Sequence, residues 1–475
     1  MQHNRQIYLL DPKKMSPETI AVTFAKTSRS PQTFSEIANE LNDSKSADFH
    51  EKWVVGYGHA SVAEHAILHI AVENISRLAV ESLESNRLAS YTEKSTRYQK
   101  WNSSSFFIPK EIEDPNLQEL FLNSCNKLFD AYKTSLPAIK AIVETENPRK
   151  TGETSEAWES RIRSKYIDVC RFLLPAASLA NVGVTINARN LEHSLRKMFS
   201  HPLEEVQQIA EEIKNICFEK VPTLVKYTDK IPYLIQCEND LNTYLRDMSQ
   251  VQPDTDQDWC KLVSYDLQGE ERVLATALYR QSDLSFIQLL NYVQKSNQIN
   301  REALAEIVLE NLGPHDNPIR ELEHTNYSFE IILDQGAYFE LKRHRMMTQT
   351  PQRLSTNLGY TVPALITKAG LEKMYRETMD SIDEAYKILQ KEYPDAASYI
   401  VPNAFNRSVL LTLNLRAAFH LIGLRTAPNA HFSIRRVALR MAEKIKSCTP
   451  LLGHYLTVKT EDTWEEIEQK HFTQT

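Results

Sequence analysis

The run Arg343-His344-Arg345-Met346-Met347-Thr348-Gln349-Thr350-Pro351-Gln352-Arg353-Leu354-Ser355 sets cationic side chains beside hydroxyls and amides. A guanidinium presents a planar fork of donors suited to phosphate, and an imidazole can donate to or stack on a flat group beside it. The run therefore reads as a pocket for a phosphorylated, flat ligand. The competing reading is a solvated basic turn, which three basic residues alone would satisfy. What favours the pocket is a second, altered version of the same arrangement in the first half of the chain.

The elements that would hold such a pocket recur in order. Gln6–Asp11 reads as a short strand, and Ser16-Pro17-Glu18 is a helix start. The apolar spacing predicts a second helix over Thr33–Leu41. Gly58-His59, Glu64-His65 and an alternating strand over Ala66–Glu73 follow, then a helix through Leu88. Residues 111–165 read as long, charged helix, and amphipathic helices run from Pro175 to about Val225. In the second half Ser264–Leu267 echoes the opening strand. Gly313-Pro314-His315 and Glu323-His324 answer the earlier histidine turn, and Phe329–Leu333 is a strand. Pro175 stands as far before Asn187 as Pro402 does before Asn414, and a helix follows each asparagine. The pattern is a tandem duplication of a domain of roughly 220 residues. The fold class is α/β (α+β), with domains at 1–235 and 261–475 and a polar linker over 236–260.

Composition narrows the possibilities. A chain of 475 residues exceeds one ordinary core. Net charge of -7 excludes an extended nucleic-acid surface while leaving room for a local basic pocket. No apolar run approaches the roughly 20 residues of a membrane span. The six cysteines show no CxxC spacing and read as reduced thiols of a cytoplasmic protein. With 11 glycines there is no GxGxxG and no P-loop, so side chains must hold any nucleotide phosphate. His59, Glu64 and His65 lack zincin spacing, and no metal site is expected. Arg435, Arg436 and Arg440 read as a solvated or interfacial basic face.

At these residues the chain resembles the flavin-dependent thymidylate synthases, whose pattern runs GHxSxxEH, RHRxxSxNExSxRY, RxxLP and NLxxLxxFLxLRxxxxAQxEI. Each half matches part of it. The first half has Ser90–Tyr98 for SxNExSxRY and Arg171 for RxxLP, but Ser85-Asn86-Arg87 replaces RHR and Met198 replaces the last arginine of FLxLR. The second half keeps Arg343-His344-Arg345 and Asn414–Arg425, but Pro351 replaces the glutamate and Ser398 the RxxLP arginine.

The resemblance implies a composite site between the two domains. FAD would be held by Arg343, His344, Arg345, Asn414, Arg416 and His420. The nucleotide dUMP would be held by Glu93, Ser95, Arg97 and Arg171, with Arg425 over the base in the catalytic role. The implied reaction is reductive methylation of dUMP to dTMP with NADPH and methylene-tetrahydrofolate, in a homodimer that mimics a family tetramer. The departures at Thr348, Pro351, Ser398, His431 and Ser433 also fit other readings. One is a flavin enzyme for another pyrimidine nucleotide; the other is a non-catalytic nucleotide-binding scaffold.

Overall fold

The computed structural model describes residues 10, 12–27, 30, 32–41, 43–49, 51, 60–97, 101, 105–248 and 258–473. The opening strand, the Gly56–His59 turn, Tyr98 and the centre of the expected linker lie outside them. Two antiparallel sheets carry the repeat. The first orders β1 (Ile67–Ser76), β3 (Leu179–Asn187) and β2 (Ala89–Glu93) with β3 in the middle. The second orders β4 (Cys260–Tyr265), β5 (Asn326–Asp334), β7 (Asn406–Asn414) and β6 (Thr348–Pro351).

The pairing register makes the duplication physical. Ile67 faces Asn187 in the first sheet and Asn326 faces Asn414 in the second. Glu93 faces Val182 and Pro351 faces Val409, and each valine stands five residues before its asparagine. Pro351 therefore occupies the place of Glu93. A cross-strand hydrogen bond is also shared: His69 Nδ1 to Thr185 at 2.9 Å and Ser328 to Thr412 at 2.8 Å. The strand β1 is one residue longer than β5, and a bulge between Val72 and Ile75 absorbs the extra residue, with Asn74 at φ 59°. Asparagine tolerates that left-handed backbone better than most residues.

Both asparagines end their strands as helix N-caps. The Asn187 side chain accepts from Asn190 N at 2.9 Å and that of Asn414 from Ala417 N at 2.8 Å. Such a cap satisfies a backbone donor that the first helical turn leaves open. Each strand then buries alternate residues: Val182, Val184 and Ile186 in one sheet, Val409, Leu411 and Leu413 in the other. The helices Ala188–Phe199 and Leu415–Arg425 follow directly.

The compact units cut across the expected halves. One comprises Met1–Lys94, Phe106–Glu113 and Ala177–Gln252; the other comprises Ser95–Ser105, Asp114–Ala176 and Pro253–Thr475. The middle of the first half thus belongs with the second half. The reason is burial: the helix Pro115–Glu146 sinks Phe121, Leu128, Phe129 and Tyr132, packing on the helices Ser155–Cys170 and Glu372–Leu389. The two equivalent prolines pair with each other, Pro175 against Pro402, and Asn403 N donates to Leu174 O at 3.0 Å.

Several expectations are corrected. Much of the linker placed at 236–260 is helix, Pro232–Asp247, and β4 begins at Cys260. The helix expected to run through Leu88 ends at Leu83, and Ala89–Glu93 is a strand whose sequence reads as a loop. The segment after Pro175 begins with β3, not a helix. The expected basic face is interior: the Arg436 guanidinium lies 4.4 Å from the rings of both Trp259 and Phe472 and pairs with Glu468 at 3.3 Å. Arg440 stacks over Trp464 at 4.3 Å. These stacks fasten the C-terminal helix Trp464–His471 to the core. No helix among the described residues is long and apolar enough to cross a membrane.

Candidate functional site

The second unit contains a buried chain of alternating charges built from three distant stretches. Arg97 grips Asp168 with two bonds, Nε to Oδ1 at 2.8 Å and Nη2 to Oδ2 at 2.6 Å, and donates from Nη1 to Asn429 O at 3.0 Å. Arg171 lies 3.9 Å from Asp168 and reaches Glu340 Oε1 with Nη2 at 3.3 Å. The other oxygen of Glu340 takes Arg425 Nη1 at 2.7 Å, and the Glu340 carbonyl takes Arg425 Nη2 at 3.0 Å. Arg425 finally donates from Nε to His344 Nε2 at 2.9 Å, and the His344 ring meets His420 edge-on at 5.5 Å.

Local structure explains each position. Asp168 and Arg171 sit one turn apart at the end of the helix Ser155–Cys170, so both face the same way. Glu340 is the penultimate residue of the short helix Gln335–Leu341, every residue of which is buried. His344 follows in the turn after that helix, where its carbonyl accepts from Gln349 Nε2 at 3.1 Å. Arg425 is the last residue of the helix that Asn414 caps.

Electrostatics in this dry setting are strong. Asp168, Arg171, Glu340 and His344 are each more than nine-tenths buried. Burial alone would raise the Glu340 carboxyl, but Arg171 and Arg425 outweigh it, with Arg97 and Arg343 adding, and hold it below its ordinary value. Burial raises the Asp168 carboxyl, with Arg171 and Arg97 opposing the rise. Burial pushes His344 down to about 3, and Arg425 and His420 add to the fall. His344 is thus a neutral imidazole whose Nε2 lone pair orients Arg425, which fixes the tautomer with its proton on Nδ1. Burial likewise drives His431 well below its usual value. It accepts from Ser433 N at 3.2 Å and sits 3.2 Å from the Asp168 carbonyl.

The expected site residues divide. Arg97, Arg171, His344, His420 and Arg425 come together, and Ser95 supports them by accepting Arg97 N at 3.2 Å. Arg343 is exposed on the turn beside His344 and acts on both Glu340 and Arg425, while Arg345 is half-buried there. Glu93 is corrected. It lies in the first unit, its side chain 2% exposed, in an ion pair with Arg77 at 2.9 Å. That pairing gives the carboxylate an interior partner.

Asn414 and Arg416 each have partners within the fold. Asn414 is the cap described above, and Arg416 is tied to Glu323 at 2.8 Å and Pro318 O at 2.9 Å. The first repeat has the matching pair, Arg189 with Glu64.

Two members escaped sequence reasoning, Asp168 and Glu340. Each is an acid inside an apolar run, Ile167-Asp168-Val169-Cys170 and Gly336-Ala337-Tyr338-Phe339-Glu340-Leu341. A carboxylate in such a run signals a buried partner.

The thymidylate synthase complementing protein family model, Thy1, matches residues 10–223 and 261–451. The chain belongs to this family. It is a tandem-domain member of the flavin-dependent thymidylate synthase group, and each repeat packs helices on a sheet that is antiparallel throughout, where a mixed sheet was expected. A Chlamydia muridarum protein named UPF0159 is 30% identical over 439 residues, covering 88% of this chain and 82% of its own length. A UPF0159 protein of Thermoplasma acidophilum is 29% identical over 451 residues, 87% of this chain and 89% of its own. A flavin-dependent thymidylate synthase of Clostridium tetani is 29% identical over 215 residues, 45% of this chain and 82% of the enzyme. Among solved structures, a Helicobacter pylori flavin-dependent thymidylate synthase complexed with FAD and dUMP matches at 18% identity and a TM-score of 0.32. It spans 45% of this chain and 96% of that one.

Proposed function

We propose that this Thy1-family chain is a flavin-dependent enzyme that reductively methylates dUMP to dTMP. FAD would be its cofactor, with NADPH and methylene-tetrahydrofolate as co-substrates. The observation that carries the reading is the Arg171–Glu340–Arg425 cluster, which the chain has once. At the repeat-equivalent positions stand Ser398, Ser82 and Met198, none of them charged. A scaffold that kept only the fold has no use for three charged side chains drawn into one cluster from both halves.

The donor set fits the two ligands unequally well. Arg171 Nε is buried and makes no hydrogen bond, an unspent donor of the kind a phosphate oxygen would take. In this reading Arg171 and Ser95 hold the nucleotide phosphate, and Arg97 and Asp168 keep that corner in place. Arg425 stabilises negative charge on the pyrimidine as C5 becomes nucleophilic, a role that needs a fixed cation and no proton transfer. His344 aims Arg425.

For FAD, the guanidinium forks of Arg343 and Arg345 at an open turn suit phosphates, and His344 and His420 offer flat rings beside them. Asn414 and Arg416 contribute by fixing the helix that carries His420. When bound, FAD supplies the redox chemistry that draws on NADPH. The repeats at 1–235 and 261–475 would act as paired domains, and a homodimer would then supply four of them.

Purified protein should absorb in the flavin bands and oxidise NADPH faster when dUMP is present. A colourless protein that also fails to bind added FAD sinks the enzyme reading. The replacement of the motif glutamate by Pro351 favours, as a second reading, another pyrimidine nucleotide. NADPH oxidation driven by such a nucleotide and not by dUMP would select it.

A further inference from the structure

The geometry points to Glu340 as the residue that sets anion affinity at this site: its carboxylate is a built-in counter-anion that the phosphate of the ligand must outcompete for Arg171. The inference rests on the nucleotide reading above and deepens it. A carboxylate and a phosphate offer a guanidinium the same two-oxygen edge, so Glu340 holds the place that a phosphomonoester would take.

The contacts rank in strength. Asp168 holds Arg97 through two bonds of 2.6 and 2.8 Å, a closed bidentate pair. Glu340 holds Arg425 through side chain and main chain at 2.7 and 3.0 Å. Its grip on Arg171 is a single contact of 3.3 Å, and the Arg171 Nε is unspent. The Arg171–Glu340 contact is therefore the one that exchanges. A bound phosphate takes Arg171, while Glu340 keeps Arg425 and so holds it apart for the base. Glu340 is in this sense a positioning residue that divides two cations between two parts of one ligand.

The repeat supplies an independent observation. The register that aligns Asn187 with Asn414 places Met198 opposite Arg425, and the alignment of Pro175 with Pro402 places Ser398 opposite Arg171. The N-caps Ser76 and Asp334 align Ser82 with Glu340. The acid is absent where both cations are absent. A carboxylate kept only for packing would not track them.

The test is calorimetric titration of inorganic phosphate, dUMP and deoxyuridine into the full-length protein, wild type and Glu340→Gln, with Arg171→Ser as the binding-deficient control. Glutamine keeps the shape and an acceptor for Arg425 but removes the charge. Phosphate and dUMP should bind about tenfold tighter to Glu340→Gln, the equivalent of about 1.4 kcal/mol, and deoxyuridine should bind unchanged. Unchanged or weaker dUMP binding by Glu340→Gln overturns the inference and leaves the nucleotide reading standing. Tighter phosphate with no dUMP binding by either protein keeps the role of Glu340 and removes dUMP as substrate. No phosphate or dUMP binding by any form removes both. If Glu340→Gln fails to fold, Glu340→Asp withdraws the carboxylate from Arg171 with its charge retained. It should tighten phosphate binding by a smaller factor; no gain there counts against the inference.

Discussion

The two repeats share some ion pairs and not others, and the difference separates scaffold from site. Glu64 with Arg189 and Glu323 with Arg416 occupy equivalent places before the first strand and at the start of the capped helix. Arg97 with Asp168 is answered by Arg353 with Asp395 at 3.1 Å, and Asp168 and Asp395 stand at equal distances before the paired prolines. Pairs present twice hold the architecture. Glu340, Arg171 and Arg425 are present once, and the proposed site draws on that asymmetry.

A third kind of position shows compensation. In the first repeat the helix N-cap is Ser76, and it binds Glu205 through Oγ at 2.5 Å and backbone N at 2.7 Å. In the second the N-cap is Asp334, and its partner is Ser433. Acid and hydroxyl have changed sides of one buried contact. The loss of the family glutamate at Ser433 is thus a swap, with the carboxylate now supplied by Asp334.

The once-only cluster is where substitution should have the largest effect. Arg425→Met imports the residue of the first repeat and leaves Glu340 with one weak partner in a dry site. It should cost about 3–5 kcal/mol of stability and abolish nucleotide binding, read by denaturant unfolding and calorimetry. The converse change, Met198→Arg, should confer no second binding site, because Ser82 stands where the second repeat has the Glu340 carboxylate.

Next in size is the swapped contact. Ser76→Asp alone sets two carboxylates against each other. Adding Glu205→Ser should recover most of the loss, a coupling of about 1–3 kcal/mol in a double-mutant cycle; simple additivity would show that the two positions are independent. At the shared pairs, Arg353→Ala should cost under about 1 kcal/mol, since its partner is partly solvated. Arg97→Ala should cost more, because Asp168 is buried.

A further expected effect is on pH dependence. His344 titrates near 3 in the folded chain, so the unfolded chain takes up its proton first as the pH falls. Stability contributed by the neutral ring is therefore lost progressively below about pH 6.5 at no more than about 1.4 kcal/mol per unit. His344→Gln should flatten the fall in melting temperature between pH 6.5 and 4.5 without removing it, because His431 is depressed as well.

The sequence made the repeat, the Asn-capped helices and the cationic residues legible, because motif spacing survives in both halves. The partners of those cations were not legible. Asp168 and Glu340 sit in apolar runs where only the folded contacts reveal their roles, and Glu93 matches a motif that the fold uses here to pair Arg77. The strands β2, β3 and β7 were missed because β2 carries a motif associated with a loop and the other two precede obvious helices. The compact units were missed because Asp114–Ala176 buries its apolar faces against residues more than two hundred positions onward.

On the proposed function the chain has one nucleotide site where a symmetric duplication would have two. Calorimetric titration of dUMP into the full-length, flavin-loaded protein tests it directly. One nucleotide bound per chain, lost in Arg171→Ser, is the predicted result; two per chain, or binding that survives Arg171→Ser, would contradict it.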